Sequence, residues 1–192
     1  MAVITGRHAH GHAEEHHGHN PIKANQLGLW LFMLSESFLF AAALSARYYN
    51  TGLERPAEMN QLLGFIITLV LLLSSLTAYR SEVAAEHNDL GAYRKWTLGT
   101  LFFGAVFAVG VGMEWAEAFE YFPPATQFGS QFFTLTGLHA FHVLSGLIIL
   151  ALVLVNRKAN ARNAWPVEGA VKYWHFVDLV WVVVYPTLYL VG

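Results

Sequence analysis

The sequence predicts an all-α membrane protein, a bundle of about five transmembrane helices with its N-terminus in the cytoplasm and its C-terminus outside. Three observations support this prediction. The 192 residues are 55% hydrophobic and 12% charged, which is too apolar for a soluble domain of this size. Apolar stretches of about 20 residues, the length that crosses a bilayer, recur along the chain. Finally, the positive charges are segregated between alternate connections.

The first segment, residues 1–26, is polar and holds six of the ten histidines. It lacks the apolar periodicity of a folded element, so we expect a disordered cytoplasmic tail. Its histidines are His8, His10, His12, His16, His17 and His19. Because imidazole binds zinc, copper and nickel, a metal-binding tail is one interpretation, and a solvated tail is the other.

Residues 27–192 are expected to form one transmembrane domain. The predicted spans are 27–47, 60–80, 97–119, 130–155 and 171–190. Each is bounded by residues that favour turns. These are Asn50 to Gly52 with Pro56, Glu86 to Asp89 with Gly91, Pro123 with Pro124 and Gly129, and Asn156 to Pro166.

Positive charges set the predicted orientation. The tail, the second loop and the fourth loop hold nine of the eleven lysines and arginines, and the opposite side holds only Arg47 and Arg55. Such an excess is typical of the cytoplasmic side. Arg80 and Arg157 lie near the ends of spans on that side, where we expect them to meet lipid headgroups.

Composition also excludes several classes of function. The net charge is −2 and there are no cysteines. We therefore expect no nucleic-acid partner, no disulfide and no thiolate metal site.

Glu36 lies in the middle of the first apolar span, near the bilayer midplane. A charged side chain there costs roughly 2.5–3.5 kcal/mol on insertion scales. We expect a neutral acid that faces the protein interior, with Phe32, Leu39 and Phe40 on the same helix face. Both a structural or lipid-cleft role and a proton-related role stay open.

The other polar groups within the predicted spans are few. They are Glu114, His139, His142, His175 and Asp178. His139 and His142 share a helix face, as do His175 and Asp178. Both pairs suit either a structural network or a metal site or proton relay. His139 and His142 cannot clamp one haem iron, since its axial ligands must oppose each other.

Asp178 is expected to join a structural network with the indoles of its own helix face. Trp174 lies four residues before it and Trp181 three residues after it. An indole N–H on an adjacent turn is able to donate to the carboxylate. Removing Asp178 should then leave its partners without a hydrogen bond.

Four segments resemble, in order, the subunit III family of haem-copper terminal oxidases. These are Leu27 to Glu36, Gly112-Met-Glu-Trp115, Gly137-Leu-His-Ala-Phe-His-Val-Leu-Ser-Gly146 and Tyr173-Trp-His-Phe-Val-Asp-Leu-Val-Trp181. The first resembles the family helix that bears an intramembrane glutamate. The last is similar to a Tyr-Trp-His-Phe-Val-Asp-x-x-Trp signature. The resemblance extends from about residue 27 to the end.

This resemblance implies a non-catalytic subunit of a complex that reduces O₂ to water and pumps protons. It implies contact with subunit I, subunit II and other subunits, haems and copper in those partners, and no cofactor in this chain. It also implies bound phospholipid, support of proton uptake and a bacterial inner membrane. Longer members have seven helices, whereas this chain resembles the five-helix form, which lacks one wall of the family's lipid cleft.

Two alternatives remain at this point. The chain is similar enough to serve a quinol oxidase or a nitric oxide reductase as its subunit III homologue. A free-standing membrane proton carrier built around Glu36 is the other, although such carriers usually show internal repeats and broken helices, which this sequence lacks.

Overall fold

A computed structural model describes residues 21–52, 56, 59–156 and 165–191. These residues form five α-helices, followed by one π-helical turn, and they contain no strand. The helices are α1 (Pro21–Thr51), α2 (Gln61–Glu86), α3 (Leu90–Tyr121), α4 (Gln127–Val155) and α5 (Trp165–Tyr185), and the π turn is Pro186–Leu190. The all-α prediction is confirmed.

The helices extend beyond the predicted spans because caps, and not the apolar stretch, decide where a helix ends. Asp89 accepts a hydrogen bond from the amide of Ala92 at 2.9 Å, and α3 therefore begins before the predicted start at residue 97. The first helix begins at Pro21, where a proline suits the first helical position. The prediction that residues 21–26 belong to a disordered tail is therefore wrong.

Helix α4 runs antiparallel to α5, and α2 runs antiparallel to α3. Along α4 and α5, Ser145 contacts Tyr173 at one level, and Phe132 packs near Tyr189 at another. Residue numbers thus rise along one helix as they fall along the other. The pattern of contacts between α2 and α3 is the same, with Thr77 on Thr100 and Ile67 facing Gly110.

Four of the described helices, α1 to α4, are long and apolar enough to cross a membrane by length and composition alone. The fifth predicted span, α5, does not reach that composition because Glu168, Lys172, His175 and Asp178 lie on it. Helix α5 and the π turn after it pack antiparallel against α4 from Tyr173 to Tyr189, so α5 lies at the same level of the bundle as α4. Its neighbours shield one face, and α5 does not need to be apolar all round.

The tightest part of the bundle surrounds the indole of Trp174, which is fully buried. Gly104 on α3 and Gly146 on α4 flank this ring. A Cβ atom added at either position would come within 2.8 Å of a ring carbon. Both positions therefore need glycine so that three helices can meet at one indole.

Candidate functional site

Glu36 forms a pair with a histidine of another helix. It is the central residue of α1, and its Oε2 lies 3.1 Å from Nε2 of His142 on α4. The Glu36 side chain is 19% exposed and the His142 side chain 5%. The prediction of an interior-facing carboxyl group is thus correct, but the sequence did not identify its partner.

The second ring nitrogen of His142 fixes the tautomer of the ring. Nδ1 lies 2.8 Å from the carbonyl oxygen of Leu138, and a carbonyl oxygen only accepts, so Nδ1 carries the hydrogen. Either neutral His142 accepts at Nε2 from a protonated Glu36, or a protonated His142 donates to the carboxylate. Both forms have no net charge, which makes an acid at this depth tolerable.

This pair lies on the wall of an open cavity of about 750 Å³ between α1, α4 and α5. Most of the lining is apolar, and it includes Phe32, Leu39, Leu138 and Ile149. The few polar groups are Glu36 and His142, together with the hydroxyl groups of Ser145 and Tyr173, which are hydrogen bonded at 2.8 Å. A largely apolar cavity of this size with convergent polar groups is typical of a ligand site.

The indoles predicted to serve Asp178 are bonded elsewhere. Trp174 donates to the hydroxyl of Ser74 at 3.1 Å, and Trp181 donates to that of Thr68 at 2.9 Å. Both acceptors are on α2. The predicted network of Asp178 with its own flanking indoles is therefore wrong, because helix α2 offers hydroxyl groups where each indole nitrogen points.

Asp178 itself is 4% exposed. Within the described part of the chain, neither of its carboxylate oxygens has a hydrogen bond of normal geometry, although the His175 imidazole and the Ser75 hydroxyl lie close enough to interact with the carboxylate. Its nearest ionisable neighbour is His175, whose Nδ1 lies 3.9 Å from Asp178 Oδ2 and 2.8 Å from the Ser75 hydroxyl. The predicted sharing of one face by His175 and Asp178 is correct.

His139 does not join the predicted hydrogen-bonded network. Its ring is fully buried, stacked on Trp181 at 4.8 Å and edge-on to Phe107 at 5.8 Å. Among the described residues, neither ring nitrogen has a hydrogen-bond partner. Although His139 and His142 lie three residues apart, one packs in the aromatic core and the other binds Glu36.

Glu114 lies on α3, toward the end of the bundle where α3 finishes. It is buried and interacts electrostatically with the phenol of Tyr189, yet no described residue gives its carboxylate a hydrogen bond of normal geometry. A cavity of about 10 Å³ adjoins Glu114, Glu117 and Asn60. Such a volume is about that of one water-sized probe.

Of the two arginines predicted to meet lipid headgroups, the structure describes only Arg80. The Arg80 guanidinium lies 5.6 Å from the centre of the Trp96 ring, a cation–π contact at an exposed site. Arg157 and the six tail histidines lie outside the described residues. In the part of the chain that the structure does describe, no three His, Cys, Asp or Glu side chains are grouped closely enough to hold a metal ion.

Sequence reasoning missed Arg47, which is fully buried near the end of α1. Its guanidinium donates to the hydroxyl of Thr51 and to the carbonyl of Gly52, and it lies 5.2 Å from the Phe128 ring. A cation at a helix C-terminus satisfies the last carbonyls and complements the helix dipole. In the sequence, Arg47 one turn before the helix-ending Asn50-Thr51-Gly52 could have indicated this role.

Known protein sequences match this chain along nearly its whole length. A model of the family described as cytochrome c oxidase subunit III matches residues 7–192. The chain belongs to the cytochrome c oxidase subunit III family. It is thus the third subunit of a haem-copper oxidase and part of a multi-subunit oxidase complex.

Curated relatives of this subunit III come from several bacteria. The probable cytochrome c oxidase subunit 3 of Nocardia farcinica is 32% identical over 173 residues, which cover 84% of this chain and 85% of that protein. The cytochrome c oxidase subunit 3 of Synechocystis is 30% identical over 195 residues, covering 94% and 80%. That of Thermostichus vulcanus is 31% identical over 183 residues, covering 91% and 90%.

Proposed function

We propose that this subunit carries no redox centre, stabilises subunit I of its oxidase, binds lipid between its helices and supports proton uptake. Haems and copper then belong to partner subunits, and the complex reduces O₂ to water in a bacterial inner membrane. The relatives are named as cytochrome c oxidases, which favours cytochrome c as the electron donor over quinol. A quinol oxidase or a nitric oxide reductase is the alternative complex.

The observation that carries the proposal is the Glu36–His142 pair on the wall of the apolar cavity. Acyl chains suit the aromatic and aliphatic lining, and the polar pair offers a proton-exchanging group at the same wall. Helix α1 forms one side of the cavity, and only 11% of its apolar membrane-spanning stretch is buried inside the chain. Its exposed side is where we expect a partner subunit to complete the cavity and to supply the wall that two further helices form in longer members.

We propose the positive-inside orientation for the same complex. The antiparallel order then places the N-terminal ends of α1, α3 and α5 at the cytoplasmic side. Arg80, Lys95 and Lys172 all lie toward that end of the described bundle. Labelling of single cysteines in the connections with an impermeant reagent tests this orientation.

Filling the cavity tests lipid binding directly. Leu39 lines the cavity on α1, and the Leu39→Trp variant should reduce the phospholipid that copurifies with the intact complex. Leu31 is an exposed leucine on the same helix that lines neither α1 cavity, so Leu31→Trp is the matched control. Equal phospholipid content in both variants, measured by mass spectrometry, contradicts a lipid site in this cavity.

Purification through this chain tests its membership of the proposed complex. The oxidised and reduced spectra should show the haems of an oxidase, and cytochrome c should support oxygen consumption. Turnover with quinol alone favours the quinol oxidase, and nitric oxide reduction favours the reductase. A lone chain without haem-containing partners supports the free-standing proton carrier.

A further inference from the structure

Asp178 is a buried acid that lies apart from the Glu36–His142 pair. Asp178 is 4% exposed, and none of the described residues gives either of its carboxylate oxygens a hydrogen bond of normal geometry; His175 and Ser75 interact with it only at longer range. An ionised carboxylate buried without donors is costly, whereas binding one proton removes the charge. Its surroundings therefore favour a group that takes up a proton, provided that a proton can reach it.

His175 offers that route. Its Nδ1 lies 3.9 Å from Asp178 Oδ2 and 2.8 Å from the hydroxyl of Ser75. The His175 side chain is 36% exposed, and it lines an open groove of about 430 Å³ between α1 and α5. One side of the imidazole thus faces the buried acid while the ring itself remains accessible.

Charged groups continue outward from His175 to the end of the bundle. Glu82 on α2 interacts electrostatically with Lys172, His175, Glu86 and Glu168. Lys172 and Glu168 form an ion pair on α5, one turn apart. On the α1 side, the polar residue that lines the same groove is Ser37. The polar stripe therefore runs along α2 and α5 from their shared end inward to Asp178.

We propose that Asp178 is a proton-binding site that is loaded through His175 from the end where α2 finishes and α5 begins. This inference rests on the proposed function, because only the proposed orientation makes that end the proton-uptake side. A proton arrives at His175 Nε2, and the imidazolium passes its Nδ1 proton to the Asp178 carboxylate, directly or through the Ser75 hydroxyl. One proton binds at Nε2 and another leaves Nδ1, so the carboxylate gains one proton, the imidazole is neutral again with its hydrogen on Nε2, and no bond between heavy atoms forms or breaks.

Glu36 and Asp178 then have separate roles. Glu36 has a histidine partner and faces the 750 Å³ cavity, so its pair is neutral in either protonation form. Asp178 has no such bonded partner among the described residues, and its charge changes when it takes up a proton. Asp178 is the storage site, and the outer carboxylates hold protons near its entrance.

Infrared difference spectroscopy on the intact complex tests the site. The wild-type spectrum should contain a carboxylic acid C=O component that is absent from the spectrum of Asp178→Asn and present in that of Glu114→Gln. Glu114 is the matched control, since it is an equally buried acid at the other end of the bundle. An unchanged band in Asp178→Asn overturns the proposal.

Exchange kinetics test the route without altering Asp178. In heavy water, the isotope shift of the Asp178 band should be about 100-fold slower in His175→Phe, the low end of the effect of a positioned acid–base group. His87→Phe replaces an exposed histidine at the same end and should leave the exchange rate unchanged. Equal rates in all three proteins overturn the His175 route.

These spectra separate this proposal from the proposed function. If the complex pumps protons and keeps its activity without this subunit, support of proton uptake is wrong, yet the Asp178 band still reports proton binding. If the band is missing while loss of the subunit impairs turnover, the site is wrong and the proposed function stands.

Discussion

The two sides of helix α5 are packed differently. On one side, α5 meets α2, Gly104 of α3 and Gly146 of α4 at a dense contact, where Trp174 and Trp181 are fully buried and each indole donates to a hydroxyl group of α2. On the other side, α5 and α4 meet α1 around a cavity of about 750 Å³. The dense side fixes the positions of the helices, and the open side keeps room for a ligand beside Glu36.

Gly146 should give the largest effect on the dense side. Leucine there would meet the Trp174 ring, since a Cβ alone comes within 2.8 Å of it. Overpacking of this kind costs about 1–3 kcal/mol, and we expect most of the subunit to be lost from the purified complex. Gly28→Leu is the control on α1, where no atom lies within 4 Å of the added Cβ.

Retention of the subunit, measured by quantitative gel analysis, decides the outcome. Full retention of Gly146→Leu would show that the dense side tolerates added volume. Loss of Gly28→Leu would instead show that a partner covers this part of α1 closely.

The indole hydrogen bonds should have a smaller effect. Trp181→Phe and Thr68→Val each remove one partner of the 2.9 Å bond. In a double-mutant cycle, the coupling in the free energy of unfolding should be about 0.6 kcal/mol, the average for bonds between membrane helices. A coupling near zero by denaturant titration in detergent contradicts a role of this bond in stability.

Asp178→Leu should change assembly least of the three. The network predicted from the sequence implied that Asp178→Leu reduces incorporation of the subunit more than Glu168→Gln does, because the flanking indoles would lose their acceptor. In the structure these indoles bond to α2, and Asp178 has no bonded partner in the described part of the chain. Because no hydrogen bond of normal geometry is lost, replacing the Asp178 carboxyl group by an apolar side chain should be close to neutral.

Subunit content equal to that of Glu168→Gln is therefore expected for Asp178→Leu. A much lower subunit content in Asp178→Leu than in Glu168→Gln would support the predicted network and show that the carboxyl group stabilises the bundle.

The sequence predicted what depends on one helix at a time. Apolar length predicted the spans, and the position of Glu36 predicted a carboxyl group at mid-membrane that faces inward. It did not predict the bonds between helices, because which residues meet depends on how each helix is rotated. His142 as the partner of Glu36 and Thr68 as the acceptor for Trp181 are of this kind.

The sequence also failed to predict where the helices begin and end. Hydropathy marks where the bilayer begins, but Asp89 and Thr126 cap α3 and α4 in the polar connections beyond it. The resemblance to subunit III came from four short segments, and the family match along residues 7–192 agrees with it.

The most direct test of the account is a cycle of Glu36→Gln, His142→Gln and the double variant in reconstituted vesicles. Oxygen consumption and the proton-pumping ratio are followed over repeated turnover. Because the pair acts as one unit, each single variant should start near the wild-type rate and then lose activity faster, and the double variant should decay no faster than either single variant. If all three variants lose activity no faster than the wild type, the pair has only a packing role, which contradicts a role in proton uptake or lipid binding. An immediate complete loss of oxygen reduction would place Glu36 on an obligatory catalytic route, which also contradicts a supporting role of this subunit.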